Sequence, residues 1–301
     1  MKQGEERILA SIICPVSGMG GKLHFVRNWV ENISANSQIE IILVHDISDD
    51  LTGKELLDIS NTYPNTRLIE GRFGNPGTAR NAGLEICLGE WVVFWDSDDE
   101  PNVQNFLLTL AMVEHLQFDI VVAAYAVCDE ISHVRSKPNP WSQETARDFQ
   151  SLALNPGIWR IIFSRETLQG IRFNPLRMAE DQIFICEALS QARNVRFVDN
   201  LNYTYFLGST QHLTRSARAL QDLLPAFRIT KELLVKNKSR ELTRFLNIVA
   251  ARQLISGLRY GSPRTRVGLL ASILDARLFQ PFFLMGIKKV LQNSLKGGAN
   301  A

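Results

Sequence analysis

Three carboxylates in four positions, Asp96, Asp98 and Asp99 with Ser97 among them, are the residues of this chain best suited to chemistry. Carboxylates so crowded repel one another unless a cation sits among them or water dilutes them. An oxygen-only group of this kind suits a hard divalent ion, Mg2+ or Mn2+, which commonly also holds substrate phosphates. Aspartate is equally at home in a solvated strand-to-helix turn, so residue types alone leave both readings open. Position adds weight. Trp91-Val-Val-Phe-Trp95 is an unbroken apolar run of β-branched and aromatic residues, which reads as a strand buried on both faces. Such a strand delivers the carboxylates to the carboxyl edge of a sheet, where open α/β folds bind ligands.

Other polar groups share that placement. Asp46 closes the apolar run Ile39–Val44, and a glycine-rich loop from Phe73 leads into a helix carrying Arg80 and Asn81. In a parallel sheet such turns emerge on one side, so Asp46, Arg80 and the Asp96–Asp99 cluster could line a cleft for a nucleotide diphosphate and its metal. Glu180 and Asp181 open an amphipathic helix, where the helix dipole alone would favour negative charge. His212 lies in the polar stretch GSTQHLTR, where solvation is a sufficient account of it. The segment Gly18–Lys22 invites a phosphate-loop reading and fails it. Val16 stands where the first glycine is needed, and Leu23 where Ser or Thr must follow the lysine. A turn opening a helix over Leu23–Ala35 is the better account.

The elements that must hold these groups alternate. Strands are expected at Ile8–Val16, Ile39–Val44, Arg67–Glu70, Trp91–Trp95 and Asp119–Val127, with helices between them, one starting near Asp50 or Thr52 and another over Val103–His115. This is the pattern of an α/β fold with a mostly parallel central sheet covered on both faces. Cys128–Gln150 reads as a polar hairpin or loop. Further strands are expected at Gly157–Phe163, Val195–Val198 and Asn202–Leu207, with a short helix after Ser164. From Ala217 the pattern is helical, with Arg and Lys punctuating the apolar positions.

A chain of 301 residues can bury one large core and carry a smaller appendage. The scattered cysteines Cys14, Cys87, Cys128 and Cys186 show no metal-type spacing and suggest reduced thiols in a cytosol. Acidic residues ahead of the first apolar run argue against a secretory signal, and the run Leu278–Ile287 is too short to span a bilayer. The net charge of +2 hides a split. Residues 1–215 carry 18 basic and 27 acidic side chains, whereas 216–301 carry 15 and 4. A basic helical end of this kind suggests an anionic partner: a membrane surface, a nucleic acid or a polyanionic acceptor.

The quoted pieces together resemble a family 2 glycosyltransferase of the GT-A fold over about residues 8–215, with 216–301 as a C-terminal helical extension. The match rests on Cys14-Pro-Val-Ser, the Asp46 turn, Gly77-Thr-Ala-Arg-Asn-Ala-Gly83, Phe94-Trp-Asp-Ser-Asp-Asp99 and Ala179-Glu-Asp-Gln182, in family order. The resemblance implies a metal-dependent, inverting transferase that moves a sugar from a nucleotide-diphosphate donor, a UDP-sugar favoured, to a saccharide or lipid-linked acceptor. It implies that Pro15, Val16 and Ser17 lie along the nucleoside, that Asp46 binds the base and that Arg80 holds the nucleotide. Asp96 and Asp98 match the DxD motif, with Asp98 the direct ligand of Mn2+ or Mg2+ and Asp96 nearer the ribose. Asp181 matches the base that deprotonates the acceptor hydroxyl, and His212 sits where some relatives bring a histidine to the metal. Polysaccharide or glycolipid synthesis, a cytoplasmic location with peripheral association to the inner membrane face, and no nucleic-acid partner are expected. His45 and Ile47 depart from the family's usual paired aspartates and glycine, which bears on the choice of base. A sugar nucleotidyltransferase is the competing enzyme class, but it would leave Asp181 without a task. A non-catalytic nucleotide-sugar-binding module should lack a key carboxylate.

Overall fold

The apolar runs become the centre of a nine-stranded sheet in a computed structural model that describes residues 7–47, 49–114, 116–129, 134–135, 148–207, 217–273 and 281–298. The strands are β1 (Ala10–Val16), β2 (Ile39–Asp46), β3 (Thr66–Gly71), β4 (Trp91–Phe94), β5 (Glu100–Pro101), β6 (Ile120–Asp129), β7 (Val134–Arg135), β8 (Ile161–Ser164) and β9 (Val195–Leu207). Their order is β3-β2-β1-β4-β8-β6-β9-β5, with β7 hairpinned onto β6. β1 pairs in parallel with β2 and β4, β2 with β3, and β6 with β9. β8 runs antiparallel to both β4 and β6, which leaves those two pointing the same way. The carboxyl ends of β1, β2, β3, β4, β6 and β9 therefore share one edge.

The chain forms two compact units, the first comprising residues 1–144, 158–172 and 192–210. Its helices α1 (His24–Ile33), α2 (Asp50–Thr62), α3 (Pro76–Ile86) and α4 (Val103–Glu114) cover the sheet on both sides. Every residue of β4 is buried, as is Trp95 just after it, which stands edge-on to Trp29 of α1 and Phe106 of α4, each at 5.1 Å. Two indoles and a phenyl ring thus clamp the strand end on which the carboxylates hang, a large apolar anchor for a polar turn.

Some elements differ from expectation for clear physical reasons. Asp49, not Asp50 or Thr52, caps α2, its Oδ1 accepting the Thr52 N–H at 2.7 Å. The run expected as a strand from Gly157 opens instead with a 3-10 turn, Ile158–Arg160, before β8. After Ser164 the chain makes turns, with the Ser164 hydroxyl accepting the Thr167 N–H, rather than a helix. The two short strands expected after Val195 are one, because register shifts between Val122 and Tyr125 absorb the irregular middle.

The second unit comprises residues 145–157, 173–191 and 211–301. It holds α5 (Phe149–Leu154), α6 (Glu180–Gln191), α7 (Ala217–Gln221), α8 (Leu223–Lys236), α9 (Arg240–Tyr260), α10 (Pro263–Ile273) and α11 (Pro281–Gly298). α9 is its axis. Phe245, Leu246, Ile248, Val249, Ala250, Ala251 and Leu254 are all buried, so the helix is enclosed on several faces by α5, α6, α8, α10 and α11. The Arg252 guanidinium donates to the Leu154 carbonyl, which ties α9 to the end of α5. The C-terminal helices thus share a unit with two helices from earlier in the chain.

Candidate active site

In the first unit the sheet edge gathers most of the expected residues. Asp96 follows Trp95 directly, and its Oδ1 accepts from Arg80 Nη2 at 2.8 Å. Arg80 is delivered by α3, whose start is set by Asn75, which accepts the Thr78 N–H at 2.8 Å, with Pro76 in the first turn. The helix lies so close to β1 that a Cβ at Gly83 would run into Ile13. The Arg80 side chain is 5% exposed and that of Asp96 27%, so a nearly enclosed guanidinium meets a carboxylate that reaches solvent. Such a charge-assisted bond is strong because little water competes with it.

The three carboxylates are not equivalent. Asp98 is half-buried, like Asp96, whereas Asp99 turns inward and is 1% exposed. Its Oδ1 accepts the Phe206 N–H at 2.8 Å and its Oδ2 accepts the Tyr203 hydroxyl at 3.0 Å. Burial, then the charges of Asp98 and Asp96, push the Asp99 carboxyl well above the usual carboxylate range. Burial and the same two charges push up the Cys14 thiol beneath the turn. All four cysteines are unpaired and buried, as expected of reduced thiols.

Pro15 and Val16 end β1, and Ser17 is exposed beyond it. Val16 is 1% exposed and belongs to the core. Asp46 ends β2 and grips the next turn: Oδ1 accepts the Phe73 N–H at 2.8 Å and Oδ2 the Gly74 N–H at 2.9 Å. Gly74 has φ +73°, a left-handed conformation that glycine adopts without steric cost. Beside Asp46, His45 is buried and its Nδ1 lies 3.0 Å from Glu70 Oε1, so it faces a neighbouring strand and not the edge.

Asp181 belongs to the second unit, in the first turn of α6, with its Oδ1 accepting the Gln182 N–H at 2.7 Å. Glu180 beside it is buried, whereas Asp181 is only partly so. Ala179, immediately before this pair, has φ +66°, the one left-handed residue other than glycine among those described. It belongs to a buried apolar cluster with Leu176, Ile183 and Ala226. Holding alanine there costs about 1–2 kcal/mol, a strain that fixes how the chain enters α6. A β-branched side chain tolerates this conformation worse. Ala179→Val is therefore expected to destabilise the protein by roughly 2–3 kcal/mol in urea unfolding, while Ala179→Gly stays within about 1 kcal/mol of the parent. Equal stability for the valine and glycine variants would show that the backbone relaxes.

His212 lies outside the described residues. Asp96 and Asp98 are the side chains that could hold a divalent cation, being carboxylates on one turn with a compensating guanidinium beside them. Tyr203, which contacts this turn from more than a hundred residues away, is missing from the sequence reading. Its only local signal is the alternation of Tyr203 and Tyr205 in β9.

The sequence profile of the family described as Glycosyl transferase family 2 matches residues 21–177, just over half of the chain. The uncharacterized glycosyltransferase EpsJ of Bacillus subtilis is 26% identical over 211 residues, covering 65% of this chain and 60% of that protein. The poly(ribitol-phosphate) beta-N-acetylglucosaminyltransferase TarS of Staphylococcus aureus is 26% identical over 231 residues, covering 70% of this chain and 39% of its own. The chain thus spans less than two thirds of the length of these relatives. Among solved structures, residues 1–349 of TarS with UDP-GlcNAc superpose with a TM-score of 0.68 at 19% identity, covering 94% of this chain and 81% of that one. A mannosyltransferase of Pyrobaculum calidifontis in complex with GDP-Man and Mn2+ gives 0.59 at 16% identity, covering 96% and 88%. The structural likeness shows a shared fold.

Proposed function

This chain belongs to glycosyl transferase family 2, with a GT-A fold, and from that premise we propose that it transfers a sugar from a nucleotide-diphosphate donor to an acceptor hydroxyl. The observation that carries the reading is the Arg80–Asp96 pair at 2.8 Å beside Asp98, on the sheet edge that also presents Asp46. A UDP-sugar is the first donor to test, since a structural neighbour holds UDP-GlcNAc, and a GDP-sugar the second. Relatives that act on poly(ribitol-phosphate) support a cell-surface polysaccharide as the acceptor class.

Asp46 and the backbone from Pro15 to Ser17 take the nucleoside in this scheme, and Arg80 sets a fixed positive charge where the diphosphate develops negative charge. Asp98, with Asp96 beside it and nearer the ribose, would hold Mn2+ or Mg2+, which supplies Lewis-acid stabilisation of the departing diphosphate. The donor set fits such an ion: it is all oxygen, with two half-buried carboxylates on one turn. Asp181 accepts the proton of the acceptor hydroxyl as that oxygen attacks the anomeric carbon, a single displacement that inverts configuration. A panel of nucleotide sugars in a thermal-shift assay with MnCl2, followed by transfer to candidate acceptors, tests the reading. At least one UDP- or GDP-sugar should raise the melting temperature. No shift from any member of the panel would overturn it.

A cytoplasmic enzyme meeting a lipid-linked acceptor would work at a membrane surface. None of the helices among the described residues is long and apolar enough to cross one. α10 and α11 nonetheless expose Val267, Leu270, Leu284, Met285 and Leu291 among Arg264, Arg266 and Lys288. Each basic residue near an anionic surface contributes about 1 kcal/mol, an attraction that salt screens. The protein should therefore co-sediment with phosphatidylserine-containing liposomes, more with rising anionic fraction and less with added salt. Absence of binding at low salt would assign these helices a packing role alone.

A further inference from the structure

The Asp96–Asp99 turn is closed from behind by β9. The strand β5, which leaves the turn, pairs antiparallel with β9, placing Pro101 opposite Tyr203 and Glu100 opposite Thr204. From the same place the Tyr203 side chain reaches back into the turn. Its hydroxyl accepts the Asp96 N–H at 3.1 Å and donates to Asp99 Oδ2 at 3.0 Å, so one oxygen joins the first and last aspartates. Three residues further along β9, the Phe206 N–H donates to the other oxygen of Asp99, while the Phe206 ring packs on Phe25 of α1 at 5.1 Å.

The Tyr203 ring has little freedom to move. It is 0% exposed, and the Trp159 indole stacks on it at 4.5 Å with 14° between the planes. Trp159 lies in turn over Tyr205 and edge-on to Tyr125. A stack of this kind holds the hydroxyl in place before any ligand arrives. Phenylalanine would fill the same space without requiring a buried hydrogen-bond partner, so the hydroxyl is explained by what it joins.

We propose that Tyr203 and Asp99 form a bracket that positions the Asp96 and Asp98 carboxylates for a divalent cation and the diphosphate it accompanies, with Tyr203 as a positioning residue. The inference rests on the nucleotide-site reading above and adds residues that bind neither nucleotide nor ion. Supporting side chains that orient ligating groups typically affect metal affinity about 10–100-fold.

The test is Mn2+ affinity, measured by calorimetric titration of MnCl2 into wild type and Tyr203→Phe in the presence of UDP or GDP, with circular dichroism and melting curves alongside. The expected result is a folded variant whose Mn2+ dissociation constant rises about 10–100-fold, while nucleotide binding without metal changes far less. Should Tyr203→Phe not fold, Asp99→Asn carries the same measurement. It keeps the acceptor for the Phe206 N–H but not for the tyrosine hydroxyl, and it too should weaken Mn2+. A folded variant with wild-type Mn2+ affinity and only a lower melting temperature would reduce the bracket to a structural tie and overturn the proposal. If wild type binds neither nucleotide with Mn2+, the site reading itself falls and takes the bracket with it.

Discussion

Asp181→Asn is expected to lower sugar transfer by on the order of 10²–10⁴ while leaving donor binding close to that of the parent. Asparagine is nearly isosteric with aspartate, and its carbonyl can still accept the Gln182 N–H that Asp181 Oδ1 accepts at 2.7 Å. The entry to α6 should therefore be undisturbed. What the variant loses is the ability to take a proton, together with a negative charge near a helix N-terminus. The charge alone amounts to about 0.3–1 kcal/mol of helix stability. That figure separates the two roles. If Asp181 only serves the helix dipole, the substitution moves the melting temperature slightly and leaves turnover intact. If it is the base, stability hardly changes and turnover collapses. Glu180, buried beside it, is the control: its removal should act on folding more than on chemistry.

The edge that carries the nucleotide-site candidates was legible because buried strands leave a plain mark. Ile39–Val44 and Trp91–Trp95 are continuous apolar runs, and a polar residue at the end of such a run has to lie at the end of the strand. Direction was not legible in β8, since a short apolar run looks the same whichever way it points. The inequality among Asp96, Asp98 and Asp99 was hidden for a similar reason. Three aspartates in sequence look alike, and only the arrival of Tyr203 and Phe206 from β9 shows that the third is turned inward. Nothing about an alanine signals φ +66°, so the strained entry to α6 had no trace in the sequence. The amphipathic pattern of 180–191 announced a helix but not its partners, and α6 groups with α9 and the C-terminal helices rather than with the sheet. Contacts between distant segments are what local periodicity omits.

Chelation with EDTA is expected to abolish transfer, and Mn2+ or Mg2+ to restore it, with Asp98→Ala as the variant that no longer responds. Asp96 and Asp98 lie half-buried on one turn with Arg80 against Asp96, and burial together with their charges pushes up the Asp99 carboxyl and the Cys14 thiol. A divalent cation would find two carboxylates on that turn and, with a diphosphate present, would be held from both sides. Replacing Asp98 with alanine removes a ligand and a repelling charge at once, so the two effects should part. Melting without metal is therefore the reference for each protein. With saturating Mn2+ and nucleotide, wild type should gain roughly 2–3 kcal/mol of stability at a hundredfold excess over the dissociation constant, and the variant much less. Transfer by the variant should fall on the order of 10²-fold or more, which is the loss of several kcal/mol of leaving-group stabilisation. Full activity in a thoroughly chelated sample would sink the assignment of Asp96 and Asp98 to a metal, and would leave Arg80 as the group that meets the diphosphate charge.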